Sequence, residues 1–220
     1  MSNRYDSVLF DLDGTLTDSG PGIMRCAALA MDALHIPYEN TRDCLRVFVG
    51  PPLWKTFLRF GVPEDQVEEA IRIYRYHYHQ GSGKFENSPY EGIREALDQL
   101  CREGYALYVA TSKPEGLAIE ILQRFDLARY FRIIGGATED HSRENKNDVI
   151  RYLLDKIGDA GHTIMVGDTV FDVEGAADLG IPCIGVSWGY GSVPEMRGAG
   201  AAGIADTMDQ LLNLIRAGRE

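Results

Sequence analysis

A short apolar run at 6–10 passes directly into Asp11-Leu12-Asp13-Gly14-Thr15, the pattern of a buried strand that ends in a polar loop. The same pattern returns at 105–110, where YALYVA gives way to Thr111-Ser112-Lys113-Pro114 and Pro114 is placed to begin a helix through Leu117, Ile121 and Leu122. Further strand-like runs are TIMV at 163–166, which ends in Gly167-Asp168-Thr169, the stretch 181–186, and the shorter FRII at 131–134. Between them, apolar residues recur at helical spacing: Ile93, Leu97 and Leu100; Val149, Leu153 and Leu154; Leu211, Leu212 and Ile215. Strands alternating with helices predict right-handed crossovers and a parallel sheet covered on both faces, an α/β class.

Residues 20–85 break this rhythm. Ile23, Ala27, Ala30, Met31 and Leu34, and later Val67, Ile71, Tyr74 and Tyr78, keep helical spacing with no strand-like run between them. The expected organisation is an α/β core of 1–19 and 86–220 with a helical domain of 20–85 inserted after the first strand. Ser19-Gly20-Pro21-Gly22 and Gly81-Ser82-Gly83 read as the linkers. A length of 220 residues suits one domain with such an insertion, and 45% hydrophobic residues allow a real core.

Charge narrows the partners. The 22 Lys and Arg against 33 Asp and Glu leave a net charge of −11, which argues against a surface that tracks nucleic acid or an anionic membrane. An anionic substrate must then be held by local groups. Cys26, Cys44, Cys101 and Cys183 lie far apart with no C-x-x-C pair, which fits a reducing compartment. The first residues resemble neither a secretory nor a transit segment and no run is long enough to span a bilayer, so the expected location is the cytoplasm.

The chemistry collects at strand ends: Asp11 and Asp13 after the first strand, Asp168 and Asp172 after the run at 163–166. In an open parallel sheet this is the edge where ligands bind. Four carboxylates brought together repel one another unless a hard divalent cation neutralises them, and Mg²⁺, which also welcomes phosphate oxygens, is the natural partner. Thr111, Ser112 and backbone N–H groups near a helix start suit a phosphate at the same edge, and Lys146 can supply a compact positive charge. Each assignment has a plainer counterpart. The first two acids could serve loop amides, Thr111 could cap a strand, and Asp172 could be a helix-start acid. Arg143 and Lys113 compete with Lys146.

Asp11-Leu12-Asp13-Gly14-Thr15, Thr111, Lys146 and Gly167-Asp168-Thr169-x-x-Asp172 occur in order, and together they resemble the four signature motifs of the haloacid dehalogenase-like hydrolases. The chain is similar to the phosphoglycolate phosphatase-like branch of that superfamily, which carries a helical cap inserted just after the first motif. The resemblance implies a Rossmann-like doubly wound parallel sheet with an α-helical cap, and a two-step phosphoryl transfer. Asp11 would attack phosphorus to form an aspartyl-phosphate, and Asp13 would protonate the leaving oxygen and then deprotonate the attacking water. Asp11, Asp13 (through its carbonyl), Asp168 and Asp172 would make or orient the Mg²⁺ site. Thr111, Ser112 and Lys146 would grip phosphate oxygens, and Gly14 would let the backbone approach the phosphate.

The expected function is thus a Mg²⁺-dependent phosphatase of a small phosphomonoester, with phosphoglycolate or a nucleoside monophosphate leading, acting as a monomer or homodimer. A phosphosugar mutase on the same scaffold is the alternative within enzymes, and a receiver-like phosphoacceptor module the alternative outside them. In the family the cap closes over the core site and reads the leaving group. Arg46, Lys55 and the Val49-Gly50-Pro51-Pro52 turn are candidates for that role here, with Arg46 equally readable as a surface ion-pairing residue. Tyr74, Tyr76, His77, Tyr78 and His79 crowd one predicted helix, but the i, i+2 spacing of the histidines does not put them on one face.

Overall fold

The computed structural model describes residues 5–138, 140, 142–158 and 162–217. Strand β1 (Ser7–Phe10) is buried at all four positions, as a central strand of a parallel sheet must be. The chain then runs through helices α1 (Gly20–Ala33), α2 (Arg42–Leu45), α3 (Leu53–Arg59) and α4 (Val67–Arg75). An alternating series follows: α5 (Ile93–Arg102), β2 (Ala106–Pro114), α6 (Glu115–Arg124), β3 (Phe131–Ala137), α7 (Lys146–Ile157) and β4 (Thr163–Gly167). It closes with α8 (Val170–Ala177), β5 (Cys183–Val186), α9 (Val193–Gly198), β6 (Gly203–Ala205) and α10 (Met208–Ala217).

The six strands form one parallel sheet in the order β3-β2-β1-β4-β5-β6. The chain winds outward from β1 first to one side and then to the other, the doubly wound arrangement that the alternating pattern predicts. Because successive side chains on a strand face opposite ways, each central strand feeds two cores. Val8 and Phe10 of β1, Leu107 and Val109 of β2 and Ile164 and Val166 of β4 pack with Ile93 and Leu97 of α5, Leu122 of α6 and Leu211 and Ile215 of α10. Leu9, Tyr108 and Met165 face the other side, against Val149 and Leu153 of α7, Val173 of α8 and Met196 of α9. The alternation of the two clusters is the doubly covered sheet seen residue by residue.

Two compact units divide the chain: Met1–Thr17 with Pro89–Glu220, which contains the sheet, and Asp18–Ser88, which is helical. The helical unit has its own core. Phe48 lies 5.0 Å from Phe57 and 4.8 Å from Phe60 between ring centroids, and Tyr74 stacks on Tyr78 at 5.4 Å. The glycine-rich stretches expected as linkers are instead packed here. Gly20 and Gly22 belong to the first turn of α1, the Gly22 amide donates to the Glu86 carbonyl at 3.0 Å, and a side chain on Gly83 would run into the Cys26 sulfur. Proline at the start of α1 supplies the fixed φ that lets a helix begin in so glycine-rich a segment.

Three other elements differ from the pattern reading. Strand β2 runs on to Pro114, so α6 begins at Glu115 with Pro114 as its cap. Its pairing with β3 skips from Ala110 to Pro114. This irregularity re-aims Thr111, Ser112 and Lys113 at the edge of the sheet. Strand β6 and helix α9 were too short to leave a periodic signal, and both are present.

Candidate active site

At the carboxyl edge, β1 lies between β2 and β4, where the winding reverses and where α/β sheets open a crevice. Asp11 follows β1, Thr111 lies on β2, and Asp168 follows β4. Helix α7 begins at Lys146, capped by Asn145, whose side chain accepts from the Asp148 amide at 3.1 Å. Helix α8 carries Asp172 in its first turn, where that carboxylate accepts from the Thr169 amide at 3.0 Å and hydroxyl at 2.8 Å. The sequence spacing Asp168-x-x-x-Asp172 is therefore a capping device and a way of returning a second acid to the strand end.

Lys146 is the centre of the arrangement. Its Nζ lies 2.7 Å from Asp11 Oδ1 and 2.8 Å from Asp172 Oδ1, and donates to the Ala110 carbonyl at 2.9 Å. All three ionic side chains are buried. Burial opposes the charge on Lys146, but the Asp11 and Asp172 carboxylates more than offset it and hold its pKa above the usual lysine value. Burial pushes the Asp11 carboxyl up to about 6, against the pull of Lys146 and with the help of the Asp172 charge. Asp168 stands well above the ordinary carboxylate range, through burial first and then the charges of Asp172 and Asp11.

Asp11, Asp168 and Asp172 each offer an oxygen within 4.8 Å of the others, and they are the one such group of three among the described residues. One lysine beside three buried carboxylates leaves an excess of negative charge, and every donor in the group is an oxygen, so the residues fit a hard divalent cation. Asp13 stands apart by its carboxylate. Its Oδ2 pairs with Lys113 Nζ at 2.8 Å, and its Oδ1 is buried without a hydrogen-bond partner.

The remaining candidates sort by position. Thr111 is buried, and its hydroxyl accepts from the Lys113 amide at 3.2 Å; Ser112 beside it is exposed. Gly14 has φ of +87°, a left-handed conformation in which a Cβ would collide with the Asp168 carboxylate. Of the two cations that competed with Lys146, Arg143 pairs with Glu115 at 2.8 Å and lies over the Tyr152 ring. Lys113 is the second cation of the edge. Arg46 and Lys55 belong to the helical unit and are exposed, as is His79; Tyr74 and Tyr78 are core residues there.

The site also contains groups the sequence reading passed over. The Tyr190 amide donates to Asp168 Oδ2 at 2.7 Å, the Thr15 hydroxyl donates to Asp168 Oδ1 at 3.4 Å, and the Trp188 indole N–H donates to the Thr15 carbonyl at 3.2 Å. Side chains on Gly189 or Gly191 would collide with Asp168. The glycines on either side of Tyr190, directly after a predicted strand, were the available signal for a backbone that approaches a ligand group closely.

The comparisons with known proteins agree with this geometry. A family model described as haloacid dehalogenase-like hydrolase matches residues 8–186. A 5'-nucleotidase of Pseudomonas aeruginosa is 43% identical over 196 residues, 88% of each chain. The tyrosine-protein kinase PtkA of Mycobacterium tuberculosis is 41% identical over 185 residues, 84% of this chain and 62% of the kinase. A phosphoglycolate phosphatase of Agrobacterium fabrum is 33% identical over 202 residues, 86% of this chain and 83% of that one. Among solved structures, a predicted phosphatase from Clostridium acetobutylicum superposes with a TM-score of 0.90 at 40% identity, covering 97% of this chain and 99% of that one. The chain belongs to the haloacid dehalogenase-like hydrolases, and it is an enzyme of the phosphatase type within that family.

Proposed function

We propose that the protein is a cytoplasmic Mg²⁺-dependent phosphatase that hydrolyses a small phosphomonoester through a phosphorylated Asp11. The observation that carries this reading is the setting of the Asp11 carboxylate, at the end of β1 and 2.7 Å from Lys146 Nζ, inside a cluster of oxygen donors. With its pKa near 6, Asp11 is largely ionised at neutral pH and available as a nucleophile.

In the proposed reaction an Asp11 oxygen bonds to phosphorus as the ester oxygen leaves, taking a proton from Asp13. Water then breaks the aspartyl-phosphate and gives a proton back to Asp13. Asp13 is the candidate for this exchange because its carboxylate stands outside the cluster of Asp11, Asp168 and Asp172. Thr111 and Lys146 hold the transferring oxygens, with Ser112 and the backbone at Gly14 beside them. Asp11, Asp168 and Asp172, with the Asp13 carbonyl, would hold Mg²⁺, which supplies neutralisation of the charge on the phosphoryl oxygens.

A nucleoside monophosphate leads among substrates, supported by the 43% identity to a relative named as a 5'-nucleotidase; phosphoglycolate stands second, and Arg46 of the helical unit is the candidate to read the leaving group. The test is phosphate release from a panel of nucleotides, phosphoglycolate and sugar phosphates, with and without Mg²⁺, for wild type beside Asp11→Asn. Mg²⁺-dependent release that disappears in the variant is the expected result. Turnover that survives Asp11→Asn would overturn the mechanism, and isomerised sugar phosphate without free phosphate would replace the phosphatase by a mutase.

A further inference from the structure

The loop after β5 does more than connect two elements. Asp168 is held by two groups, one on that loop and one tied to it. The Tyr190 amide donates to one carboxylate oxygen at 2.7 Å, and the Thr15 hydroxyl approaches the other at 3.4 Å. The carbonyl of Thr15 in turn accepts the Trp188 indole N–H at 3.2 Å. Gly14, Gly189 and Gly191 bring three backbones so close to Asp168 that a Cβ at any of them would collide with it, and a Cβ on Gly189 would also meet the Gly14 carbonyl. Trp188 itself is half-buried and packed against the core between the sheet and α5, with Tyr90 6.3 Å away between ring centroids.

We propose that Trp188 is a positioning residue that sets the affinity of the acid cluster for its divalent cation. It acts through Thr15. The indole N–H fixes the Thr15 carbonyl, the peptide geometry then fixes the Thr15 hydroxyl against Asp168, and the same loop delivers the Tyr190 amide to the opposite oxygen. Outer-shell hydrogen bonds of this kind orient a ligating carboxylate before the cation arrives, and their loss typically costs 10- to 100-fold in metal affinity when they act directly. Trp188 is one residue further removed, so the loss of a single buried hydrogen bond, about 3- to 10-fold, is the appropriate scale. The inference rests on the reading of Asp168 as a cation ligand, and it adds a residue on a different strand end from every sequence motif.

The test is Mg²⁺ binding by calorimetry to wild type, Trp188→Phe and Asp168→Asn, with turnover measured in parallel. Trp188→Phe keeps an aromatic ring at the position and removes the N–H. It is expected to bind Mg²⁺ about 3- to 10-fold more weakly, to lose activity at limiting Mg²⁺, and to recover wild-type kcat and substrate KM at saturating Mg²⁺; Asp168→Asn is expected to bind none. Wild-type affinity in Trp188→Phe together with no binding by Asp168→Asn would overturn the role of Trp188 alone. Wild-type affinity in Asp168→Asn would remove the cation reading and the proposal with it. The chain has 2 tryptophans, so Trp54→Phe leaves Trp188 as its one indole and tests the link without disturbing it. Its emission is expected to change along the calorimetric binding curve, and emission that stays flat through saturation would count against the link even if Trp188→Phe failed to fold.

Discussion

Charged residues form close ion pairs in both compact units, under opposite conditions. In the helical unit Arg72 and Glu69 meet at 2.6 Å on the surface of α4, one turn apart and open to solvent. In the sheet unit Lys146 meets Asp11 and Asp172 at 2.7 and 2.8 Å with every partner buried, and the two acids come from the ends of different elements. The distances match, and the physics does not. Water screens the surface pair and would solvate either partner alone, whereas each group of the buried triad depends on the others for its charge. A close ion pair is therefore informative about function only together with its burial and with the number of chain segments needed to assemble it.

The sharpest break of this comparison is Asp11→Asn, which preserves shape and removes the proposed nucleophile. Turnover is expected to fall by at least about 10³-fold, with a melting temperature equal to or above that of wild type. A fall of less than tenfold in single-turnover phosphate release would place the nucleophile elsewhere. Next comes Lys146→Met, which leaves buried carboxylates uncompensated. The metal-free protein is expected to lose about 3–5 kcal/mol in urea denaturation, and Mg²⁺ should restore part of that loss.

The pH dependence sharpens the same point. Between pH about 4 and 6 the folded chain keeps a proton on Asp11 that the unfolded chain has released, so this group favours folding at the acid side and the contribution disappears as pH rises through 6. Metal-free Asp11→Asn should therefore gain on wild type by up to about 3 kcal/mol across that window. Denaturation midpoints that stay parallel would contradict it. A smaller effect, about 1–3 kcal/mol, is expected for Gly14→Ala, from the left-handed φ and the approach to Asp168. Arg72→Ala sits at the bottom of the series, with a denaturation midpoint indistinguishable from wild type.

The parts of the candidate site that the sequence made legible are those in which a buried run ends on a polar or ionisable side chain. Asp11, Thr111 and Asp168 each stand directly after such a run, and Lys146 opens a helix whose apolar spacing was plain. What escaped depends on relations that no local pattern carries. Lys113 reaches Asp13 because β2 loses register with β3 between Ala110 and Pro114, a property of pairing between strands. The contribution of 188–191 comes from the Tyr190 backbone N–H, from the Trp188 indole N–H and from the adjacency of β5 to β4, and only their meeting with Thr15 and Asp168 in the fold gives them a role. Strand β6 has three residues, too few to show a period, and is specified by pairing with β5. The glycine-rich stretches of the helical unit were misread for the converse reason. Small residues mark close packing as well as freedom, and the contacts of Gly22 and Gly83 decide for packing.

The position of β1 has a consequence for how the molecule comes into being. Ser7 pairs with Ala106 on one side and with Thr163 on the other, so β1 waits for partners roughly a hundred and a hundred and fifty residues downstream. Topologies with such distant partners fold slowly, because the loop-closure entropy is lost before the pairing is gained. The strand that leads into Asp11, the proposed nucleophile, is paired on both sides only after Thr163 has been made. Until then SVLF lacks the strands that cover it, and exposed apolar segments with unpaired edges are what make folding intermediates prone to aggregate.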